Sequence, residues 1–212
     1  IPITLNFDHG LTFDGIKQAI DNGFTSIMYD GSHLPLEENI DKTVKVVELC
    51  KPHNISVEAE LGAVGGSEGG ELAGDVNPDL FTDLEDAVTF LHQTKIDALA
   101  VAIGNSHGAY KGKPKLDFEL LENIHKLTGL PLVLHGGSGL SEADFKQAIK
   151  LGISKINFFT GMSQTALQTT SDFFKTDLGK YNDYLNLMDQ TRKDVKKCVK
   201  EQIEIFGSNQ KA

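Results

Sequence analysis

Three histidines in this chain each stand in a short motif with glycine beside them: His9 in NFDHGL, His107 in GNSHGAY and His135 in LVLHGGSG. Each falls at the end of a predicted strand. Three neutral imidazoles converging from three strands form a zinc site of catalytic type, with one position left open for substrate. Asp8 precedes the first histidine. A carboxylic acid next to a metal ligand can hold a proton close to bound substrate. Taken alone, Asp8–His9 also fits a helix-capping aspartate beside a packed histidine. The matching placement of His107 and His135 is what favours chemistry.

Glycine follows His107 and His135 directly. It lets backbone approach a ligand and leaves N–H groups free. Gly136, Gly137 and Ser138 lead into a predicted helix near Glu142, as a phosphate cradle at a helix N-terminus would; a plain tight turn is the competing reading. Asn157 and Thr160, in INFFTG, follow the last predicted strand, where barrels commonly hold phosphate. An asparagine turn and a threonine cap explain them as well. Glu58 and Glu60 alternate on one strand and so share a face. Two carboxylates aimed into a barrel are costly unless paired or metal-bound. Asp30 ends the preceding strand and could join them; a second cation and a salt-bridge network satisfy the set equally. Glu68 sits in GGSEGG, where a mobile catalytic base or a solvated loop acid would both fit. His33, His53, His92 and His125 have no metal-like context and read as surface or structural.

The elements that position these residues alternate. Strands are predicted near Ile3–Phe7, Thr25–Tyr29, Ser56–Glu60, Ala98–Ile103, Pro131–Leu134 and Lys155–Phe158. Helices are predicted at Phe13–Asn22, Leu36–Lys51, Leu84–Thr94, Phe118–Leu127, Glu142–Leu151 and Met162–Phe174, with a last one at Tyr184–Phe206. The strands are apolar along both faces, so the fold class is α/β, a parallel sheet covered by helices. In a βα barrel the C-terminal strand ends carry the active site. That puts all three histidines on one face. A closed barrel needs eight strands and about 250 residues, against six here. The expectation is a single (β/α)8 TIM-barrel domain over 1–212 lacking its first two strands, with a C-terminal helical extension over about 162–206. The start at Ile1, already inside an apolar run, fits an N-terminally truncated chain. Two loops stand out: Gly62–Asn77, glycine-rich and long enough for a mobile lid, and Tyr110–Lys115, with three lysines.

The 212 residues carry a formal net charge of −10 and are 40% hydrophobic, which fits one globular domain. The acidic balance argues against nucleic acid or an anionic membrane as partner. A local positive site for a phosphorylated substrate remains compatible with it. Two isolated cysteines, Cys50 and Cys198, are no disulfide framework, so a reducing, cytoplasmic setting is expected. No run reaches about 18 apolar residues, so no span is expected.

In this order the motifs resemble the class II, zinc-dependent ketose-bisphosphate aldolases. The segments are LNFDHG, GFTSIMYDGSHLPLEENI, VEAELGAVGG, DALAVAIGNSHGAYKGKPKLDFELL, and LPLVLHGGSGL with GISKIN, from Ile3 to Asn157. The resemblance implies His9, His107 and His135 as Zn2+ ligands, Asp8 as catalytic acid, and Asp30 and Glu60 at a second cation position. It implies Glu68 as the mobile-loop base. Gly108, Gly136, Gly137, Ser138, Asn157 and Thr160 would hold the dihydroxyacetone-phosphate end. The implied reaction is reversible cleavage of a ketose (bis)phosphate to dihydroxyacetone phosphate and an aldehyde, in a homo-oligomer. A metal-dependent sugar-phosphate epimerase and a non-catalytic aldolase-like subunit are the rival readings. The chain departs from the family pattern in three places. Two strands usually precede the DHG motif. Phe159 stands where the family has a small or acidic residue. Asn182–Asp183–Tyr184–Leu185 replaces an Asn-Asp-Pro-Arg stretch whose arginine can meet a second phosphate. Arg192 is the only arginine in the chain.

Overall fold

The computed structural model describes residues 3–66, 77–108, 110, 112, 114–177 and 183–209. Glu68, most of the Gly62–Asn77 loop, Lys111 and Lys113 lie outside the described residues.

Six strands form one sheet: β1 (Asn6–Gly10), β2 (Ser26–Tyr29), β3 (Ser56–Leu61), β4 (Ala98–Val101), β5 (Leu132–Leu134) and β6 (Ile153–Ile156). Each pairs in parallel with the next, in chain order. Parallel neighbours need a crossover, and each crossover carries a helix: α1 (Phe13–Asp21), α2 (Leu36–Cys50), α3 (Leu84–Thr94), α4 (Phe118–Thr128) and α5 (Glu142–Lys150). After β6 come α6 (Thr160–Phe173) and α7 (Tyr184–Ile205), which pack on each other. Side-chain caps start four of the crossover helices: Thr12 for α1, Asp83 for α3, Asp117 for α4, and a capping box of Ser141 and Asp144 for α5. Each satisfies an N–H that the first helical turn leaves open.

Chain order without reversal makes every crossover step the same way, and the sheet curls. His9 at the end of β1 and His135 after β5 have ring nitrogens 3.1 Å apart. In a flat sheet, strands four positions apart lie roughly 19 Å from each other. The architecture is therefore a curled, parallel α/β half-barrel. β1 and β6 are not paired. Their ends meet through side chains, with Asn157 Nδ2 donating to both Asp8 carboxylate oxygens at 3.1 Å.

Strand alternation sorts the two faces. Ile27, Val57, Ala59, Leu99, Val101, Leu132 and Leu134 pack outward against Ile16, Val46, Phe90, Leu121, Ile124 and Phe145 of the helices. Residues of the opposite parity face the inside of the curl. Met28, Ala100 and Val133 form a separate small cluster there, and Glu58 and Glu60 share it by the same parity. The inner face thus combines a few apolar side chains with two buried carboxylates.

Three strands differ from expectation by more than one residue at their ends. β1 lies three residues later than predicted because Leu5 O is taken by the Thr25 and Ser26 N–H groups, and paired register begins at Asn6 opposite Ser26. β4 stops at Val101 because side chains take over: Thr82 Oγ1 accepts from Ala102 N at 2.9 Å and Asn105 Oδ1 from Ile103 N at 2.8 Å. β6 ends at Ile156, and Asn157 begins the turn toward α6. Thr160 is the first residue of α6 rather than its cap.

Candidate active site

β1 distorts as it reaches the site. Its register with β2 shifts between Phe7 and Gly10, and His9 adopts φ 49°. That left-handed conformation costs a residue with a Cβ about 1–3 kcal/mol, and such strain concentrates at functional positions. Here it turns the imidazole toward the strand ends of β4 and β5.

The loops carrying His107 and His135 are tied together by two side chains. Asn105 donates to His135 O at 3.0 Å and to Val101 O at 3.3 Å. The Tyr110 hydroxyl accepts from Ser106 N at 2.9 Å and donates to Gly136 O at 2.9 Å. Burial pushes the Tyr110 hydroxyl above its ordinary value, so it remains a donor. Gly65 O accepts from both His107 N at 2.7 Å and Ser106 Oγ at 2.8 Å.

The three histidines converge. His9, His107 and His135 each bring one nitrogen within 4.8 Å of the others, and their ring centroids lie 4.8–5.7 Å apart. Two carboxylates fix the tautomers. His9 Nδ1 donates to Asp30 Oδ2 at 2.8 Å, and His135 Nε2 donates to Glu58 Oε1 at 3.0 Å. A carboxylate can only accept, so those nitrogens carry protons. The remaining nitrogens, His9 Nε2 and His135 Nδ1, face each other at 3.1 Å. In the neutral rings both are bare lone pairs, and they repel unless a cation lies between them. Two Zn–N bonds at about 2.0–2.1 Å in a tetrahedron put their nitrogens about 3.3 Å apart. The donor set, its spacing and its carboxylate backing fit a zinc ion.

The electrostatics agree. The Asp30 hydrogen bond, with Asp8 and Glu60 adding to it against the effect of burial, raises the His9 pKa to about 9. Without a metal, the cation between the lone pairs is His9's own proton. Burial lowers His107 to about 4, which keeps it neutral and ready to ligate. Burial opposes the Asp30 charge, yet the bonds from His9 and Ser32 outweigh it and hold the carboxyl well below the usual range. Glu58 is likewise kept ionised against burial, by His135 and by Lys155, whose Nζ lies 2.9 Å from Glu58 Oε2.

Glu60 behaves differently. Burial raises its pKa to about 7. Its Oε1 accepts from Val64 N at 3.4 Å, while Oε2 is buried without a hydrogen-bond partner. His9, Asp30 and Glu60 together bring ligand atoms within 4.8 Å of one another, so these acids can serve a second cation. In this structure, however, Asp30 spends one oxygen on His9 and the other on Ser32.

Beside this centre a cavity of about 370 Å3 is lined by Tyr110, Gly137, Ser138, Thr160, Gly161 and Gln202, among others. Ser138 Oγ accepts from Gly161 N at 3.0 Å, joining the HGGSG turn to the first turn of α6. Gly136 holds φ 64°, and a Cβ there would overlap the Ser106 carbonyl. Gly108 is buried at φ 85°. A larger cavity of about 1240 Å3 between α6 and α7 is lined by none of the three histidines. Arg192 lies on α7 and donates to Asp189 at 2.7 Å on an exposed surface; it lines neither cavity. His33, His53 and His92 are not buried. His125 Nδ1 meets Leu130 O at 3.3 Å, a structural contact.

Sequence reading misses the roles of Asn105 and Tyr110, which act through backbone carbonyls across a loop pair and leave no spacing signal. It finds Glu58 by strand parity but not its partner. The structure gives Lys155 this buried carboxylate as its counter-charge.

Histidines and carboxylates gathered at the C-terminal ends of curled parallel strands define an α/β half-barrel enzyme whose donor set could hold a metal ion. The chain belongs to the class II fructose-bisphosphate aldolase family: the model of that family, Fructose-bisphosphate aldolase class-II, matches residues 1–211. It is thus a lyase of the aldolase class. Relatives among characterised proteins match the whole chain. A 6-phospho-5-dehydro-2-deoxy-D-gluconate aldolase of Halalkalibacterium halodurans is 44% identical, with 72% of its length covered. A fructose-bisphosphate aldolase of Staphylococcus aureus is 42% identical, with 73% covered. Among solved structures, the YdjI aldolase of Escherichia coli K12 superposes with TM-score 0.86 at 38% identity, over 100% of this chain and 72% of that one. A fructose-bisphosphate aldolase of Campylobacter jejuni shares the fold at TM-score 0.77 and 24% identity, over 98% of this chain and 71% of that one. Among the described residues no helix is long and apolar enough to cross a membrane.

Proposed function

We propose that the protein cleaves a ketose phosphate reversibly to dihydroxyacetone phosphate and an aldehyde, using His9, His107 and His135 to hold Zn2+. One observation carries this reading. Two carboxylate-backed imidazoles aim lone pairs at a shared point 3.1 Å across, with the Asp8 carboxylate tethered by Asn157 beside them. The ion would supply Lewis acidity for the negative charge left at the ketone end when the carbon–carbon bond breaks.

The chain's own residues do the rest. Asp30 and Glu58 hold His9 and His135 in the ligating tautomers. In the cleavage direction Asp8 takes the proton of the C4 hydroxyl, the C3–C4 bond breaks, and the aldehyde leaves. Glu68 then returns a proton to C3. In condensation the two acids exchange roles. Gly108, Gly136, Gly137, Ser138, Asn157 and Thr160 bind the phosphate of the dihydroxyacetone end through backbone N–H and side-chain donors. Asp30 and Glu60 serve a second cation when one is present.

The same reading extends to the whole protein: an eight-stranded TIM barrel, a homo-oligomer and a cytoplasmic role in carbohydrate metabolism such as glycolysis. Two free cysteines support the reducing setting. Exposed Leu167, Phe174, Tyr184 and Leu185 on and between α6 and α7 support self-association. The relatives differ in what their names say they act on: one substrate carries a single phosphate and the other two. The test is therefore a panel. Zinc-loaded protein is incubated with fructose and tagatose bisphosphates, ketose 1-phosphates and 6-phospho-5-dehydro-2-deoxygluconate, and triose phosphate is detected. Release from at least one is expected. Isomerisation without triose phosphate would instead mark an epimerase, and no turnover of any would mark a binding subunit.

A further inference from the structure

Lys155 on β6 places one ammonium between two acceptors that lead to different parts of the site. Its Nζ lies 2.9 Å from Glu58 Oε2 and donates to Asn157 Oδ1 at 2.7 Å. On one side the contact continues from Glu58 to His135 Nε2 at 3.0 Å. On the other, the Asn157 amide donates from Nδ2 to both Asp8 oxygens at 3.1 Å. A single cation is thus one residue removed from a histidine of the triad and one residue removed from the proton-carrying carboxylate.

The asparagine makes this arrangement directional. The two ends of an amide differ little in shape, and hydrogen bonds decide which way it faces. Lys155 can only donate and an Asp8 carboxylate can only accept. With Oδ1 on the ammonium and Nδ2 on the carboxylate, both contacts attract. Turned end for end, both repel. Remove the ammonium, and only the carboxylate itself and the long contacts of Nδ2 to the His135 ring, at 3.4–3.5 Å, hold Oδ1 away from Asp8.

We infer that Lys155 is a positioning residue for the carbon–carbon bond step: its ammonium pins Asn157 Oδ1 so that the Asn157 amide holds the Asp8 carboxylate for the C4-hydroxyl proton, while the same ammonium keeps Glu58 aligned behind His135. The competing role is smaller. Lys155 would be only a counter-charge for Glu58, which is 3% exposed, and the contact to Asn157 would be incidental. The inference rests on the aldolase reading for its kinetic consequence, though not for its geometry.

Two measurements test it. The first compares two reactions of the zinc-loaded protein: cleavage or condensation, which needs Asp8, and solvent exchange of the C3 proton of dihydroxyacetone phosphate, which does not. Lys155→Met is expected to lower kcat for cleavage about a hundredfold, with KM, zinc stoichiometry and C3 exchange each within about threefold. Equal loss of exchange and cleavage would show a general structural role and overturn the inference, as would undiminished cleavage. Lys155→Gln serves as the second neutral variant should the methionine variant not fold. The second measurement uses metal-free protein and no turnover. The Asn157 side-chain NH2 is expected to give a slowly exchanging NMR signal in the parent that is lost in the Lys155 variants. A fast-exchanging parent signal, or protection that survives in the variants, overturns the inference. If the parent cleaves no ketose phosphate, the aldolase reading fails, and the amide signal still decides the role of Lys155.

Discussion

His9 carries two commitments at once. Its Nδ1 proton belongs to Asp30 and its Nε2 faces His135. Because its folded pKa is about 9 against an ordinary 6.5, metal-free protein near pH 7.5 holds a proton where zinc would bind. Zinc binding should therefore expel about one proton at that pH, and none well above pH 9. Calorimetry in two buffers of different ionisation heat measures this. A release near zero at pH 7.5 would contradict the Asp30 bond. The stability consequence has a definite sign. A group whose pKa rises on folding stabilises the fold fully below its unfolded value and loses that contribution as pH rises through the folded one. For His9 the window runs from 6.5 to about 9. Glu60, raised from 4.5 to about 7, acts in the same direction. The melting temperature of metal-free protein should fall across this range, and added zinc should flatten the decline. Asp8 adds to the His9 shift through its charge, but its hydrogen bonds run to Asn157 rather than to a ligand. Asp8→Ala should keep zinc content within about twofold while lowering cleavage by about 10²–10⁴. Glu68→Gln should instead slow C3-proton exchange. Parallel loss of zinc and turnover in Asp8→Ala would make that residue structural.

At the scale of elements, the site depends on two loops being locked to each other. Gly136 supplies the close approach, with φ 64° and the Ser106 carbonyl against it. Gly129, the cap of α4, has nearly the same φ of 63°, but a Cβ added there would meet nothing within 4 Å. The pair separates conformational strain from collision. Gly129→Ala should cost about 1–2 kcal/mol, the left-handed penalty alone. Gly136→Ala should cost more. It should also weaken zinc binding at least about tenfold, since the Ser106–His107 segment must move. Thermal melts and a zinc titration of both variants check this. Equal stability loss with unchanged zinc affinity would mean the loop accommodates the methyl group. The strand boundaries belong to the same scale. β4 ends where Thr82 and Asn105 replace ladder bonds, and β1 starts where Leu5 O is already engaged. Hydrophobic periodicity carries no mark of these side-chain and loop bonds, so it could not have placed those ends.

Over the whole molecule, charge is distributed unevenly relative to the site. The chain is acidic overall, its only arginine is bonded to Asp189 on α7, and the 370 Å3 cavity has no arginine in its lining. An arginine grips phosphate through paired bonds that tyrosine and leucine cannot make. Within one chain Arg192→Ala should leave the ratio of kcat/KM for a ketose 1,6-bisphosphate over its 1-phosphate unchanged within about threefold, against the tenfold that 1.36 kcal/mol would give. A larger fall in that ratio would assign Arg192 to a neighbouring subunit's site. A bisphosphate preference that survives the substitution would direct attention to the lysines of Tyr110–Lys115.

The sequence by itself determined the alternation of strands and helices, the parallel sheet, and the set of candidate site residues. These are local properties. Apolar runs, caps and glycine-flanked histidines are written in neighbouring positions, and strand parity alone turns Glu58 and Glu60 inward. Only the tertiary structure decided how the residues divide their work. Asp30, expected beside the glutamates, does lie with Glu60 and is also the hydrogen-bond partner of His9. Glu58 backs His135 while Glu60, two residues away, keeps a buried oxygen without a hydrogen-bond partner. Lys155, Asn157 and Asp8 form one chain of contacts across 149 positions of sequence. Those assignments follow from the curl that brings β1 against β5 and β6. A curl is the sum of many small twists between strands, so no single stretch of sequence contains it.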